Sequence, residues 1–93
     1  MSENDHNISD LNGNALELVL YSSSRCIFCL RVHQVLQGLG LEIPIVDINA
    51  KPENRRQLIE LGGKSQVPML LINGAPLYES RDIIDFLNHR ILL

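Results

Sequence analysis

The sequence predicts an α/β domain of order β-α-β-α-β-β-α, built on a four-stranded mixed sheet. Three observations carry that prediction. Leu16–Tyr21 is a nearly continuous apolar run of strand length, suited to a strand buried on both faces. A repeat of helical period follows it at once, in Phe28, Val32, Val35, Leu36 and Leu39. An Asn73-Gly74 step between two further apolar runs is a strong hairpin signal. The first β-α-β unit predicts a right-handed parallel crossover, and the hairpin adds an antiparallel pair.

The elements follow in order. Residues 1–14 are rich in Asn, Asp, Ser and Gly without periodicity, so a flexible tail is expected there, with one domain over 15–93. The first strand ends in the loop Ser22–Arg25, and the helical pattern begins at Cys26. Gly38 and Gly40 bracket its end. Residues 42–48 read as a strand, and Pro44, which cannot donate to a ladder, predicts a sheet edge. Pro52 opens a second helix that stops at Gly62-Gly63. Met69–Ile72 and Pro76–Tyr78 flank the Asn-Gly turn. Ser80 is the expected N-cap of a last helix whose apolar face is Ile83, Ile84, Leu87 and Ile91.

Composition narrows the function classes. The 93 residues are 45% hydrophobic and carry a net charge of −3, which suits a folded domain and not a disordered one. An acidic balance and four aromatic side chains (Tyr21, Phe28, Tyr78 and Phe86) predict no nucleic-acid partner. No apolar run reaches the roughly 18 residues of a spanning helix, so no membrane partner is expected. Met1–Asn7 is polar and acidic and lacks the basic and apolar regions of a secretory signal, so a cytoplasmic location is expected.

Cys26 and Cys29 are the two cysteines of the chain. A disulfide closing so short a loop removes little unfolded-state entropy, so the pair points to sulfur chemistry. They fall where a buried strand passes into a helix. Free N–H groups and the helix dipole favour an anion at that place, so a thiolate at Cys26 is stabilised, with Arg25 adjacent. Cys29, one turn further in, meets fewer free N–H groups. The pair is asymmetric: Cys26 attacks and Cys29 resolves. Cys26, Cys29 and His33 also form C-x2-C-x3-H. Zinc wants a fourth ligand that the sequence does not supply nearby, so no metal site is expected and His33 is read as a solvent-facing helix residue.

The segment Tyr21-Ser22-Ser23-Ser24-Arg25-Cys26-Ile27-Phe28-Cys29 resembles the active-site segment of glutaredoxins, and Gln66-Val67-Pro68-Met69-Leu70 resembles the segment holding their cis-proline. Leu77–Leu87 is similar to the corresponding stretch of glutathione S-transferase N-terminal domains. The resemblance covers residues 15–92 and implies a thioredoxin-like fold. It implies a glutathione-dependent thiol-disulfide oxidoreductase, with Cys26 the nucleophile and Cys29 the resolving thiol. Glutathione would be the reductant, disulfide or glutathionylated proteins the substrates, no organic cofactor would be bound, and the protein would act as a monomer. Val67 matches the residue whose backbone pairs with glutathione, Pro68 the cis-proline, and Glu79 and Ser80 the pair holding the γ-glutamyl end. Arg25 and Phe28 complete the expected glutathione site.

The sequence departs from the family in carrying Ile27-Phe28 between the cysteines, and Ser23 where a lysine is common. Arg25, Arg55, Arg56, Gln57 and Lys64 are the candidates to replace that charge at the glycine carboxylate of glutathione. Two alternatives stand beside the oxidoreductase: a dimer holding a [2Fe–2S] cluster through Cys26 and glutathione, and a glutathione-binding transferase-type domain.

Overall fold

The computed structural model describes residues 8–92. Its elements are β1 (Ser9–Asp10), β2 (Leu18–Ser22), α1 (Ile27–Leu39), β3 (Ile45–Asp47), α2 (Pro52–Gly62), β4 (Met69–Ile72), β5 (Ala75–Tyr78), α3 (Ser80–His89) and β6 (Ile91–Leu92). A four-stranded sheet has the order β3-β2-β4-β5. β2 pairs parallel with β3, Leu20 opposite Ile45, and antiparallel with β4, Leu20 opposite Leu70. The mixed sheet and its helices are the thioredoxin-like fold that the sequence predicts.

β2 is central because both of its faces are apolar. Leu18 and Leu20 point to one side, where they join Val32 and Leu36 of α1, Leu70 of β4, and Ile83 and Leu87 of α3. The alternate residues Val19 and Tyr21 point to the other side, with Ile48, Leu58 of α2 and Met69. This period-2 division places α1 and α3 on one face and α2 on the other. Pro44 lies just before β3, at the sheet edge; its carbonyl still accepts from Leu20 N–H at 3.0 Å. The β4–β5 turn is Asn73-Gly74, both at positive φ (49° and 87°), the conformation that a two-residue hairpin requires. Asn73 Oδ1 also accepts from Glu17 N–H at 2.6 Å, which ties the hairpin to the entry of β2.

Four expectations are corrected. Residues 8–14 are no tail: Ile8 is buried in the α1/α3 core and β1 pairs antiparallel with β6. The Asn-rich stretch is instead wound around Asp10, whose carboxylate accepts from Asn12 N–H at 2.8 Å and Asn14 N–H at 2.9 Å. Those bonds, Asn14's foremost, hold the Asp10 carboxyl below its ordinary 3.8. Residues 1–7 of the expected tail lie outside the described residues. Ile91 does not extend the α3 face; the helix closes at Arg90, and Ile91 belongs to β6. Ser80 is the first residue of α3 and Glu79 its cap, with no side-chain capping bond. The buried face of α1 is Cys29, Val32 and Leu36, at i, i+3 and i+7. Phe28 stands one position off that face and is exposed, with the Arg31 guanidinium 5.5 Å from its ring centre.

Candidate active site

Cys26 is the N-cap of α1. Its extended backbone (φ −109°, ψ 118°) lets Sγ turn back over the first helical turn, where it accepts from Cys29 N–H at 3.2 Å. A sulfur acceptor here occupies the place a Ser or Asp oxygen takes in an ordinary cap. The same N–H would hold a thiolate, as would the positive end of the 13-residue helix. Cys26 is partly exposed and Cys29 fully buried, and both are free thiols. Burial pushes the Cys29 thiol up from 9.0 to about 11, and its hydrogen bond with Cys26 pushes the same way. Hydrogen bonding from the Ser23 backbone and the Ser22 side chain works against them. The two cysteines are therefore unlike in access: one sulfur lies open at a helix end and the other is buried beneath it.

The loop before β4 approaches from the opposite side. The Val67–Pro68 peptide bond is cis, as the resemblance implies. Val67 O lies 3.9 Å from Cys26 Sγ, within reach of the thiol proton, and Pro68 is buried beneath the loop. Gln66 Nε2 donates to Glu79 Oε2 at 3.4 Å, so the loop and the cap of α3 are neighbours. Glu79 has φ 74° and ψ 116°, a backbone that costs a non-glycine residue about 1–3 kcal/mol and that here turns the chain from β5 into α3. Three segments far apart in sequence thus meet: Cys26 at the start of α1, Val67-Pro68 before β4, and Glu79-Ser80 at the start of α3.

The remaining expected residues are more scattered. Arg25 is exposed, and its backbone N–H bonds Ser23 Oγ at 3.2 Å. Phe28 stands on the exposed side of the first turn of α1. Arg55 reaches Ser65 Oγ at 2.7 Å, Gln57 Oε1 accepts from Tyr21 at 3.4 Å, and Lys64 Nζ lies 4.5 Å over the Tyr78 ring. Lys64 is thereby held two residues before Gln66, closer along the chain to the cis-proline loop than the α2 candidates.

His33 is the plainest correction at the site. It is half-buried, and its Nε2 lies 2.9 Å from Oγ of the buried Ser22. The signal was available in the spacing, since His33 is i+4 from Cys29 and so shares its side of α1. Ser22, His33, Cys26 and Asp47 line one cleft of about 480 Å³. Among the described residues no group of three or more His, Cys, Asp or Glu is arranged to hold a metal ion, and no helix is long and apolar enough to cross a membrane.

Comparison with known proteins agrees with this geometry. The glutaredoxin family model matches residues 18–76. A glutaredoxin of Pseudomonas aeruginosa is 33% identical over 55 residues, which cover 59% of this chain and 66% of that protein. Glutaredoxin-C6 of Oryza sativa subsp. japonica is 32% identical over 60 residues, 61% of this chain and 54% of that protein. The matched stretches thus span less than two thirds of either relative. A wheat glutaredoxin crystal structure superposes with a TM-score of 0.62 at 28% identity, covering 74% of this chain and 68% of that one. A silkworm glutathione S-transferase shares the fold at a TM-score of 0.64 and 22% identity, over 75% of this chain but 36% of that one. With the family model spanning both the cysteine segment and the cis-proline loop, the chain belongs to the glutaredoxin family.

Proposed function

We propose that the protein is a glutathione-dependent thiol-disulfide oxidoreductase in which Cys26 is the nucleophile and Cys29 the resolving thiol. The observation that carries this reading is the placement of Cys26 Sγ, open to solvent and 3.2 Å from Cys29 N–H at the start of α1. Cys26 thiolate attacks the glutathione sulfur of a glutathionylated protein; a Cys26–glutathione disulfide forms and the substrate leaves as a thiolate. A second glutathione then regenerates Cys26 and departs as glutathione disulfide. Where the substrate is a protein disulfide, Cys29 attacks Cys26 Sγ from within and releases the bound protein.

Glutathione would lie between the cis-proline loop and α3. The backbone of Val67 is suited to pairing with its cysteinyl part, and Pro68 closes the floor beneath. The helix start at Glu79 and Ser80 suits the γ-glutamyl carboxylate. Arg25, next to Cys26 in the chain, and Phe28, exposed on the first turn of α1, would complete the site. A buckwheat glutaredoxin solved as a complex with glutathione shares this fold, with a TM-score of 0.63 over 76% of this chain. On this reading the protein works as a cytosolic monomer, where glutathione keeps its thiols reduced.

The test compares deglutathionylation and protein-disulfide reduction in the wild type, Cys26→Ser and Cys29→Ser. Cys26→Ser should abolish both activities, since a hydroxyl stays protonated where a thiolate is needed. Cys29→Ser should retain deglutathionylation and lose protein-disulfide reduction. Equal loss of both activities in both variants would overturn the assignment.

A further inference from the structure

The central strand β2 delivers Cys26 between two different surroundings, because β4 lies on one side of it and β3 on the other. The cis-proline loop leads into β4. The cleft of about 480 Å³ lies on the β3 side, with Cys26 in its wall and without Val67, Pro68, Glu79 or Ser80. Parallel register sets Ile45 beside Leu20 and Asp47 beside Ser22, so both turn to the α1 face of the sheet. β3 is the edge strand, and Ile45 stays 46% exposed. Across the cleft stand Ile27 and Leu30 of α1, 60% and 50% exposed.

Two observations separate this apolar wall from ordinary surface. Along α1 the exposed apolar side chains, Ile27, Phe28 and Leu30, all lie in the first turn beside Cys26; the exposed positions beyond are Arg31, Gln34, Gln37 and Gly38. The polar side chains around the cleft also have partners within the protein. Ser22 Oγ bonds His33 Nε2 at 2.9 Å, Asp47 Oδ1 accepts from Asn49 N–H at 2.9 Å, and Ser23 Oγ accepts from Asn49 Nδ2 at 2.6 Å. What the cleft offers is therefore apolar contact, in a volume typical of ligand sites.

We propose that this cleft is a specificity site for polypeptide disulfides, taking an apolar side chain one or two residues from the substrate cysteine that bonds to Cys26. The inference rests on the reading above that Cys26 is the nucleophile. The covalent step itself identifies the occupant. Cys26 thiolate attacks one sulfur of the peptide disulfide; the bond from Cys26 to that sulfur forms, the original sulfur–sulfur bond breaks, and the other cysteine leaves as a thiolate that takes a proton from water. The chain now bonded to Cys26 must pass over its surroundings, and an extended segment advances about 3.3 Å per residue. Leu30 is four residues along α1 from Cys26, about 6 Å of helix rise, so side chains one or two positions from the bonded cysteine reach it. A polar side chain placed there loses water and finds no free partner. Glutathione has no apolar side chain beside its cysteine and gains nothing from these walls.

The experiment uses the full-length Cys29→Ser protein, in which the adduct accumulates, and two symmetrical peptide disulfides. The peptides carry Leu, or Asn, at the two positions on each side of a single cysteine and are otherwise identical. Acid quenching and mass spectrometry follow the Cys26–peptide adduct, and each rate is divided by that peptide's uncatalysed rate with free glutathione. The Leu peptide should react at least about tenfold faster than the Asn peptide, the lower end of apolar-pocket discrimination because the cleft is open. Leu30→Gln and Ile45→Thr should each cut that preference about threefold, and together bring it near unity. Gln37→Ala, exposed on α1 outside the cleft, should keep it. The two cleft variants lie on separate elements, so either one decides the matter should the other fail to fold. Equal rates for the two peptides, or a preference untouched in a folded cleft variant, would overturn the specificity site. Absence of any Cys26 adduct, with either peptide or with glutathione disulfide, would instead overturn Cys26 as the nucleophile.

Discussion

Alkylating the native reduced protein with iodoacetamide across pH should separate the two cysteines sharply, and the size of the separation follows from burial. A thiol at about 11 is ionised to about one part in 10⁴ at pH 7, against about one part in 10² for an ordinary thiol at 9.0. Ionisation alone therefore slows Cys29 about 100-fold relative to a free cysteine. Its 0% exposure slows it further. Mass spectrometry of timed samples should find Cys26 labelled first, and Cys29 following only toward alkaline pH or after unfolding in guanidinium. The cause can be resolved too. Burial is the largest contribution and Cys26 the next, so Cys26→Ala should lower the Cys29 midpoint yet leave it above 9.0. The linkage has a sign that can be checked by denaturation. A thiol raised by folding contributes stability that is whole below its unfolded value and lost as pH climbs through the folded one. Stability should decline between about pH 9 and about pH 11, and Cys29→Ala should flatten that decline. Labelling of Cys29 in the native protein at the free-cysteine rate at pH 7 would refute the reasoning.

Two further predictions concern the frame of the site. A Cβ at Gly62 would run into the Tyr78 hydroxyl and lie 2.9 Å from Tyr78 Cζ, and moving the ring breaks its bond to Lys64 O. Gly62→Ala should destabilise by about 1–3 kcal/mol from overpacking, less up to about 1 kcal/mol of helix propensity. Urea midpoints should show the loss, Tyr78→Phe should not deepen it, and an unchanged midpoint would refute it. Asp10→Ala should open the turn that carries β1 and speed hydrogen exchange at the Asn12 and Asn14 amides. Because the Asp10 carboxyl is lowered by folding, its protection holds above the ordinary 3.8 and is lost as pH falls through the lowered value, so wild-type exchange should approach the variant's in acid.

Much of the site was legible because its chemistry is local. The N-cap placement of Cys26 and the inward turn of Cys29 follow from a strand ending at Ser22 and a helix beginning at Ile27, and both boundaries are written in neighbouring residues. The Asn73-Gly74 hairpin and the Gly40 end of α1 are of the same kind. Errors arose where a local pattern had two meanings. Asn12, Gly13 and Asn14 look like a solvated tail, yet they are the residues that wind a turn around one carboxylate. Phe28 satisfies a helical period as well as Cys29 does, and the two differ only in which of them the sheet lies beneath.

The sequence by itself determined the order of the elements from β2 to α3, the apolar character of both faces of β2, and the helix end at which the sulfur sits. Each depends on periodicity or on the backbone preferences of single residues, which act over a turn or a strand. Only the tertiary structure decided that Ile8 is core and that β1 closes on β6. It also decided that Gln66 meets Glu79 beside Val67, and that the His33 ring bonds the buried Ser22 hydroxyl. Those outcomes turn on which surfaces bury one another across the chain, and the gain from burying Ile8 or the Ser22 hydroxyl exists only once its distant partners are in place.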